Sequence, residues 1–257
     1  MTLKHLCTAC LLLFLLPGGP SSRAQWITDV PEDRPNPTNI LRDVRRNFPD
    51  RPLHVDGDLT AKNRRGDLLI TRRLEFTLDL SAPTGTATYL LSDAFGEPLE
   101  RLAITRPPDT PAQYALFSGT DSKAIPLEDT TAPIQGLDFS WADLAMDFLW
   151  WPRVSLVGHE NKLNRPCTIL EVRPEASSDA GTYDSVRLWI DQNTSALLEA
   201  QGFDAEGTLL KKLQIQTLKK VDALWTVGDL EVHSYPSRSK TRLRVRDVRI
   251  DPSPRPQ

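Results

Sequence analysis

Cysteine, metal-ligand clusters, phosphate-binding loops and long apolar runs are all scarce in this 257-residue chain. Of the three cysteines, Cys7 and Cys10 fall within the first 24 residues. Cys167 alone is left for the remainder, so no intramolecular disulfide can form there and stability must come from a core. His54, His159 and His233 are isolated from one another, and His159-Glu160 is followed by Asn161, Lys162 and Leu163, so the second ligand of a zinc helix is missing. No glycine-rich phosphate loop or Gly-x-Ser-x-Gly element occurs, and the single Cys-x-x-Cys spacing, Cys7 to Cys10, falls within the first 24 residues. Thirty-one basic residues face 34 acidic ones, for a net charge of −3, a balance that argues against a nucleic-acid binder. No stretch approaches the roughly 20 apolar residues of a membrane helix. The expectation is a protein that is not an enzyme, with no catalytic residues, no metal and no cofactor.

What is present begins with a compartment signal. Lys4 precedes the apolar run Leu11 to Leu16, a Pro17-Gly18-Gly19-Pro20 break and Ser22-Arg23-Ala24. This pattern reads as a cleavable signal peptide over 1–24, which places the mature protein in an exported compartment. Residues 25–50 read as a proline-rich leader and a short helix, in which Ile40, Leu41 and Val44 have helical spacing and Phe48-Pro49 is the stop. Residues 51–251 form the main domain and 252–257 a tail.

From Leu53 the period changes to two. Leu53, Val55, Leu59 and Ala61 alternate with His54, Asp56, Asp58 and Thr60, a strand with one wet face. Further strands are predicted over 68–80, 84–91, 99–105, 113–118, 185–190, 196–203, 209–218, 221–232 and 242–250, with turns at 93–96, 191–194 and 204–207. The spacing is that of consecutive hairpins. Ten or more such strands predict a mainly β protein, a strongly curved meander sheet or part-closed antiparallel barrel, since a flat open sheet of that size is unusual.

One interior stretch, Phe139 to Pro152, is predicted to be helical, with Ser140 as its cap and Pro152 as its stop. Trp141, Leu144, Ala145 and Phe148 recur at i, i+3, i+4 and i+7 and would share one apolar face. The cluster Trp141, Phe148, Trp150 and Trp151 fits either a core or a cavity lining. Cys167 alternates with Ile169 and reads as a small buried hydrophobe. Asp56 and Asp58 share a strand face, where solvated carboxylates are the ordinary reading. Near the C-terminus Arg238, Lys240, Arg242, Arg244 and Arg246 fall on alternate positions, with Thr241, Leu243 and Val245 on the other face. The basic stripe suits either docking of an acidic partner or headgroup, with Arg242, Arg244 and Arg246 at its centre, or cross-strand ion pairing to Asp229 and Glu231.

The runs Leu137 to Leu144, Cys167 to Val172, Val186 to Asp191 and Phe203 to Lys211 resemble the LolA-like outer-membrane lipoprotein-sorting proteins of Gram-negative bacteria. That resemblance implies a half-open antiparallel β-barrel with one or two helices as a lid over an apolar cavity that accepts acyl chains. It further implies a periplasmic carrier of lipoproteins or lipids that takes cargo from an inner-membrane transporter to an outer-membrane acceptor. In this frame Trp141, Leu144, Ala145 and Phe148 lie on the lid, and Leu188, Ile190, Leu198 and Ala200 line the cavity. An envelope sensor or interaction module, using the sheet surface and the basic C-terminal strand, is the alternative.

Overall fold

In the computed structural model, which describes residues 36–107, 112–127, 129–175, 183–221 and 224–252, the chain forms one antiparallel sheet of twelve strands. The signal-peptide segment, most of the leader and most of the tail lie outside the described residues. The strands are β1 (Leu53–Lys62), β2 (Leu68–Asp79), β3 (Gly85–Ser92), β4 (Pro98–Arg106), β5 (Gln113–Ser118), β6 (Arg153–Lys162), β7 (Arg165–Arg173), β8 (Ser185–Asp191), β9 (Leu197–Phe203), β10 (Leu209–Val221), β11 (Leu224–Ser234) and β12 (Ser239–Ile250). Their spatial order is β5-β4-β3-β2-β1-β12-β11-β10-β9-β8-β7-β6. The chain therefore starts mid-sheet, walks outward to β5, and crosses to the opposite edge at β6. From there it walks back until β12 pairs with β1. The two edges, β5 and β6, are not paired with each other, so the curved sheet stays open.

That topology explains where the core sits. The β5–β6 connection must traverse the sheet, and its apolar residues Ile134, Leu137, Phe139, Leu144, Phe148 and Leu149 are all buried in the main hydrophobic cluster. The same cluster takes the inward-facing side chains of both halves, among them Val55, Leu59, Leu74, Leu102, Leu170, Leu188 and Leu243. The edge strand β6 is largely exposed and carries Arg153, His159, Glu160 and Lys162, charges that blunt pairing with another chain.

The predicted helix over 139–152 forms only in part. Helix α2 (Trp141–Ala145) starts with a reciprocal capping box between Ser140 and Asp143, then stops at Met146, whose φ of 50° is left-handed. A 3-10 turn (Asp147–Trp150) follows. The break has a local cause. The Leu144 carbonyl accepts from the buried Tyr89 hydroxyl at 3.0 Å, and the Ala145 carbonyl accepts from Arg106 Nη2 at 3.0 Å. Tertiary donors thus take the place of the helix's own next turn. The other helix, α1 (Pro37–Arg46), has Asn36 capping Thr38 and proline at its first position.

Two glycines record close approaches. At Gly57 the β1–β12 register slips, and a Cβ would sit 2.7 Å from Leu243 Cδ1 and 2.9 Å from the Arg244 carbonyl oxygen. At Gly202 a Cβ would meet the Tyr183 ring at 2.3 Å. Gly202→Ala must expel that ring from the core. The substitution is expected to cost about 1–3 kcal/mol, read as a lower denaturant midpoint at unchanged m-value.

Candidate functional site

The curved sheet and the segments laid against it do not fill the interior completely. A cavity of about 320 Å³ remains between them, at the lower end of the range of ligand pockets. Its floor is built from the inward side chains of β1, β2, β10, β11 and β12, including Val55, Phe76, Leu213, Ile215, Leu230, Leu243 and Val245. Its cover is Phe139, Leu144, Met146 and Leu149 from the crossing segment, with Val44 and Phe48 from the α1 end. Polar groups are few, with Asp143, Asn47, Thr194, Ser195 and Thr226 among the lining residues. Such a wall offers dispersion and water exclusion, and almost no hydrogen-bonding specificity.

The cover is held by buried polar anchors. Asp143 accepts from the Tyr183 hydroxyl at 2.6 Å, from Lys211 Nζ at 2.7 Å and from its own cap residue Ser140. Burial pushes the Tyr183 phenol well up, with the Asp143 carboxylate adding to the effect, so the hydroxyl stays a donor. On the other side of the break, Asp147 is gripped by Arg106 and by the Tyr114 hydroxyl, and the Arg106 guanidinium lies 4.2 Å from the centre of the Trp150 ring. Farther back, buried Asp138 takes the Thr241 hydroxyl at 2.8 Å and the Ser237 hydroxyl at 3.2 Å, which ties the crossing segment to β12. Helix α1 is fastened by Arg45 to the Leu149 carbonyl at 3.3 Å and by Asn47 to the Thr194 carbonyl at 2.7 Å.

The β8–β9 turn at the cavity rim rests on one carboxylate. Asp191, fully buried, accepts from Arg165 at 2.7 Å and from the Asn193 and Thr194 backbone N–H groups at 2.7 and 3.0 Å. Burial alone would raise this carboxyl, but Arg165 and the two N–H groups outweigh it and hold it below the usual range. A depressed folded-state pKa means stability that is complete above the unfolded value of about 3.9 and lost as pH falls through the folded value. Asp191→Asn is therefore expected to be less stable at neutral pH and to show a shallower loss of stability below about pH 4. Unfolding curves across pH 2–7 check this; parallel profiles would contradict it.

Of the residues expected at the site, Leu144 lines the cavity. Trp141, Ala145 and Phe148 are buried in the core beside it, and the left-handed Met146 breaks the helical face they were expected to share. Leu188, Ile190 and Ala200 are also core residues of the main cluster, outside the lining. Leu198 does not share a face with Ala200. The β8–β9 register slips between Trp189 and Ile190, which leaves Leu198 unpaired as the extra residue of a bulge. It packs instead with Cys167 and Trp189 in a separate small cluster. Of the strands that form the floor, β1 and β12 show their inward sets plainly in sequence as Leu53/Val55 and Leu243/Val245. The role of α1 carried no such signal.

Arg242, Arg244 and Arg246 point to the outer face of β12. Arg242 and Arg244 lean on Asp229 at 3.2 and 3.7 Å, Lys240 on Glu231 at 3.1 Å, and Arg246 on Asp58 at 3.4 Å. The three histidines stay apart. His54 contacts Thr77 and Asp251, His159 contacts Thr168 and Gln192, and His233 contacts Glu231. Among the described residues, no group of three or more His, Cys, Asp or Glu is placed to hold a metal, and no helix is long and apolar enough to cross a membrane.

A family model described as "Uncharacterized protein" matches residues 120–255, just over half of the chain and the part that contains the crossing segment and β6 to β12. The chain belongs to that family. Solved structures show the same architecture. A DUF1329 family protein from Desulfovibrio piger matches with TM-score 0.71 and 19% identity, over 84% of this chain and 92% of that one. A putative outer membrane lipoprotein-sorting protein domain from Vibrio parahaemolyticus matches at 0.70 and 15%, over 84% and 92%. A LolA superfamily protein from Nitrosomonas europaea matches at 0.65 and 16%, over 86% and 96%. The fold is therefore LolA-like, with an open twelve-stranded sheet. No curated protein matches the chain.

Proposed function

We propose that this protein is an exported, non-enzymatic carrier that holds the acyl chains of lipoproteins or lipids in its apolar cavity for transfer toward the outer membrane. The observation that carries this reading is the cavity itself: a space of about 320 Å³, lined almost wholly by aliphatic and aromatic side chains, between a curved sheet and an anchored cover. Each methylene moved from water into such a space gains about 0.8 kcal/mol, so a modest cavity binds an acyl chain without any reactive group. The LolA-like fold, which the Vibrio parahaemolyticus lipoprotein-sorting domain shares, supports the same reading. In this reading the leader-like residues 1–24 direct the chain out of the cytoplasm, into the periplasm. In this role an inner-membrane transporter would supply the cargo and an outer-membrane acceptor would receive it.

The alternative, an interaction module acting through Arg242, Arg244 and Arg246 alone, is weakened by the acids that already pair with those three side chains. The two readings separate in one experiment. The protein is expressed with its own leader in a Gram-negative periplasm, purified without detergent, and examined by native mass and organic extraction. Stoichiometric lipid or acylated protein supports the carrier; an empty protein that also refuses fluorescent fatty acids overturns it.

A further inference from the structure

A second concavity lies on the opposite face of the same strands. It is a groove of about 540 Å³ lined by Lys62, Arg73, Lys240, Arg242, Arg244 and Arg246 against the carboxylates Asp58 and Glu231. Asp229, beside it, is shared by Arg242 and Arg244, and Glu231 is shared by Lys240 and His233. Cations therefore outnumber the acids that neutralise them. Among the described residues Lys62 and Arg73, which line the groove, form no ion pair. A face built to be neutral by internal pairing would not leave this surplus.

The end of the groove is apolar. Leu68, opposite Lys62 in the β1–β2 register, is 62% exposed, and its neighbour Leu69 is 55% exposed. Ala94 lines the groove in the β3–β4 turn, and Phe95 beside it is 90% exposed, the extreme among the large apolar residues described. Neither tip is slack. Asn63 Oδ1 accepts the Arg65 and Asp67 N–H groups, and Asp93 Oδ1 accepts those of Phe95 and Glu97, so each turn is pinned by its own first side chain. Arg64 and Arg65 stand exposed on the first tip. Apolar apices flanked by arginine and lysine match an anionic bilayer surface, where the apices enter the headgroup boundary and the cations meet lipid phosphates. An acidic protein segment would need the cations and leave the two apices unused.

We infer that this outer face, from the Lys62/Arg73 groove to the Leu68 and Phe95 tips, docks the protein on anionic phospholipid membranes. The inference goes beyond the carrier reading, because groove and cavity occupy opposite faces of the sheet and one can be filled without the other. Sedimentation with phosphatidylglycerol/phosphatidylcholine vesicles tests it against pure phosphatidylcholine vesicles, with inorganic phosphate as competitor. Binding to the anionic vesicles alone, weakening with salt, is expected. The double variant Lys62→Gln/Arg73→Gln should bind at least about tenfold more weakly, and Phe95→Ser should also lose association. Fatty-acid binding, measured in parallel, should be unchanged in both variants. No vesicle association, or association indifferent to all three substitutions, overturns the inference. Capture by a poly-glutamate peptide that Phe95→Ser does not weaken, or displacement by millimolar phosphate alone, would likewise replace the bilayer with a soluble anion. Loss of fatty-acid binding with vesicle association intact would fault the carrier reading and leave this one standing.

Discussion

Asp143→Ala is expected to be among the most destabilising single substitutions in the protein, costing about 3–5 kcal/mol, because it leaves a buried cation without its partner. The carboxylate receives Lys211 Nζ at 2.7 Å and the Tyr183 hydroxyl at 2.6 Å, and it closes the capping box of α2. All three losses fall on the cover of the cavity. For a domain of this size the thermal midpoint should drop on the order of 10 °C. Lys211→Met in the Asp143→Ala background should recover part of the loss, since the double variant no longer buries an unpaired charge. Additive single and double variants, or an Asp143→Ala cost below about 1 kcal/mol, would show that the network contributes little.

Much of the sheet was legible in the sequence because strands such as β1 and β3 have one buried and one wet face. Gln113–Ser118 falls where expected, and the hairpin strands over 185–203 lie within a residue of their predicted ends. Period-two alternation survives wherever one face meets water. The chain order of the strands was equally visible as successive hairpins, since short turns such as Asp204 to Gly207 leave no choice of neighbour. What local pattern could not show is the jump from β5 to β6. Nothing between Gly119 and Pro152 announces that this stretch crosses the concave face, because the two sheet edges it joins are decided by non-local pairing.

The site was less legible for two physical reasons. Helical spacing of Trp141, Leu144, Ala145 and Phe148 is a statement about a regular helix, and Tyr89 and Arg106 interrupt that helix from 55 and 39 residues away. Strand parity fails in the same manner at Leu198, where a single bulge residue reverses the face of everything before it. The first places Trp141, Ala145 and Phe148 in the core beside the cavity, and the second turns Leu198 away from that core into a small cluster with Cys167 and Trp189. Buried apolar residues of core and cavity are chemically alike; only the placement of α1 and the crossing segment separates them.

That separation can be measured. Ile215→Trp is expected to reduce fatty-acid affinity by about two orders of magnitude while leaving the protein folded. Ile215 lines the cavity on β10, alongside Leu213 and across from Leu230. An indole at that position takes volume that the acyl chain would occupy. Excluding four methylenes forfeits roughly 3 kcal/mol at 0.8 kcal/mol each, and 1.4 kcal/mol is tenfold in affinity. Because the ring enters open space instead of a filled core, its stability cost should fall below the roughly 1–3 kcal/mol typical of overpacking. Ile190→Val provides the contrast. It removes a methyl group from the core outside the lining, so it should cost about 0.5–1.5 kcal/mol of stability with affinity unchanged. Titration of a fluorescent fatty acid against both variants, beside their denaturant midpoints, decides the matter. If Ile190→Val weakens binding and Ile215→Trp does not, the acyl chain lies against β8 and β9, and the cavity wall described here is not the binding surface.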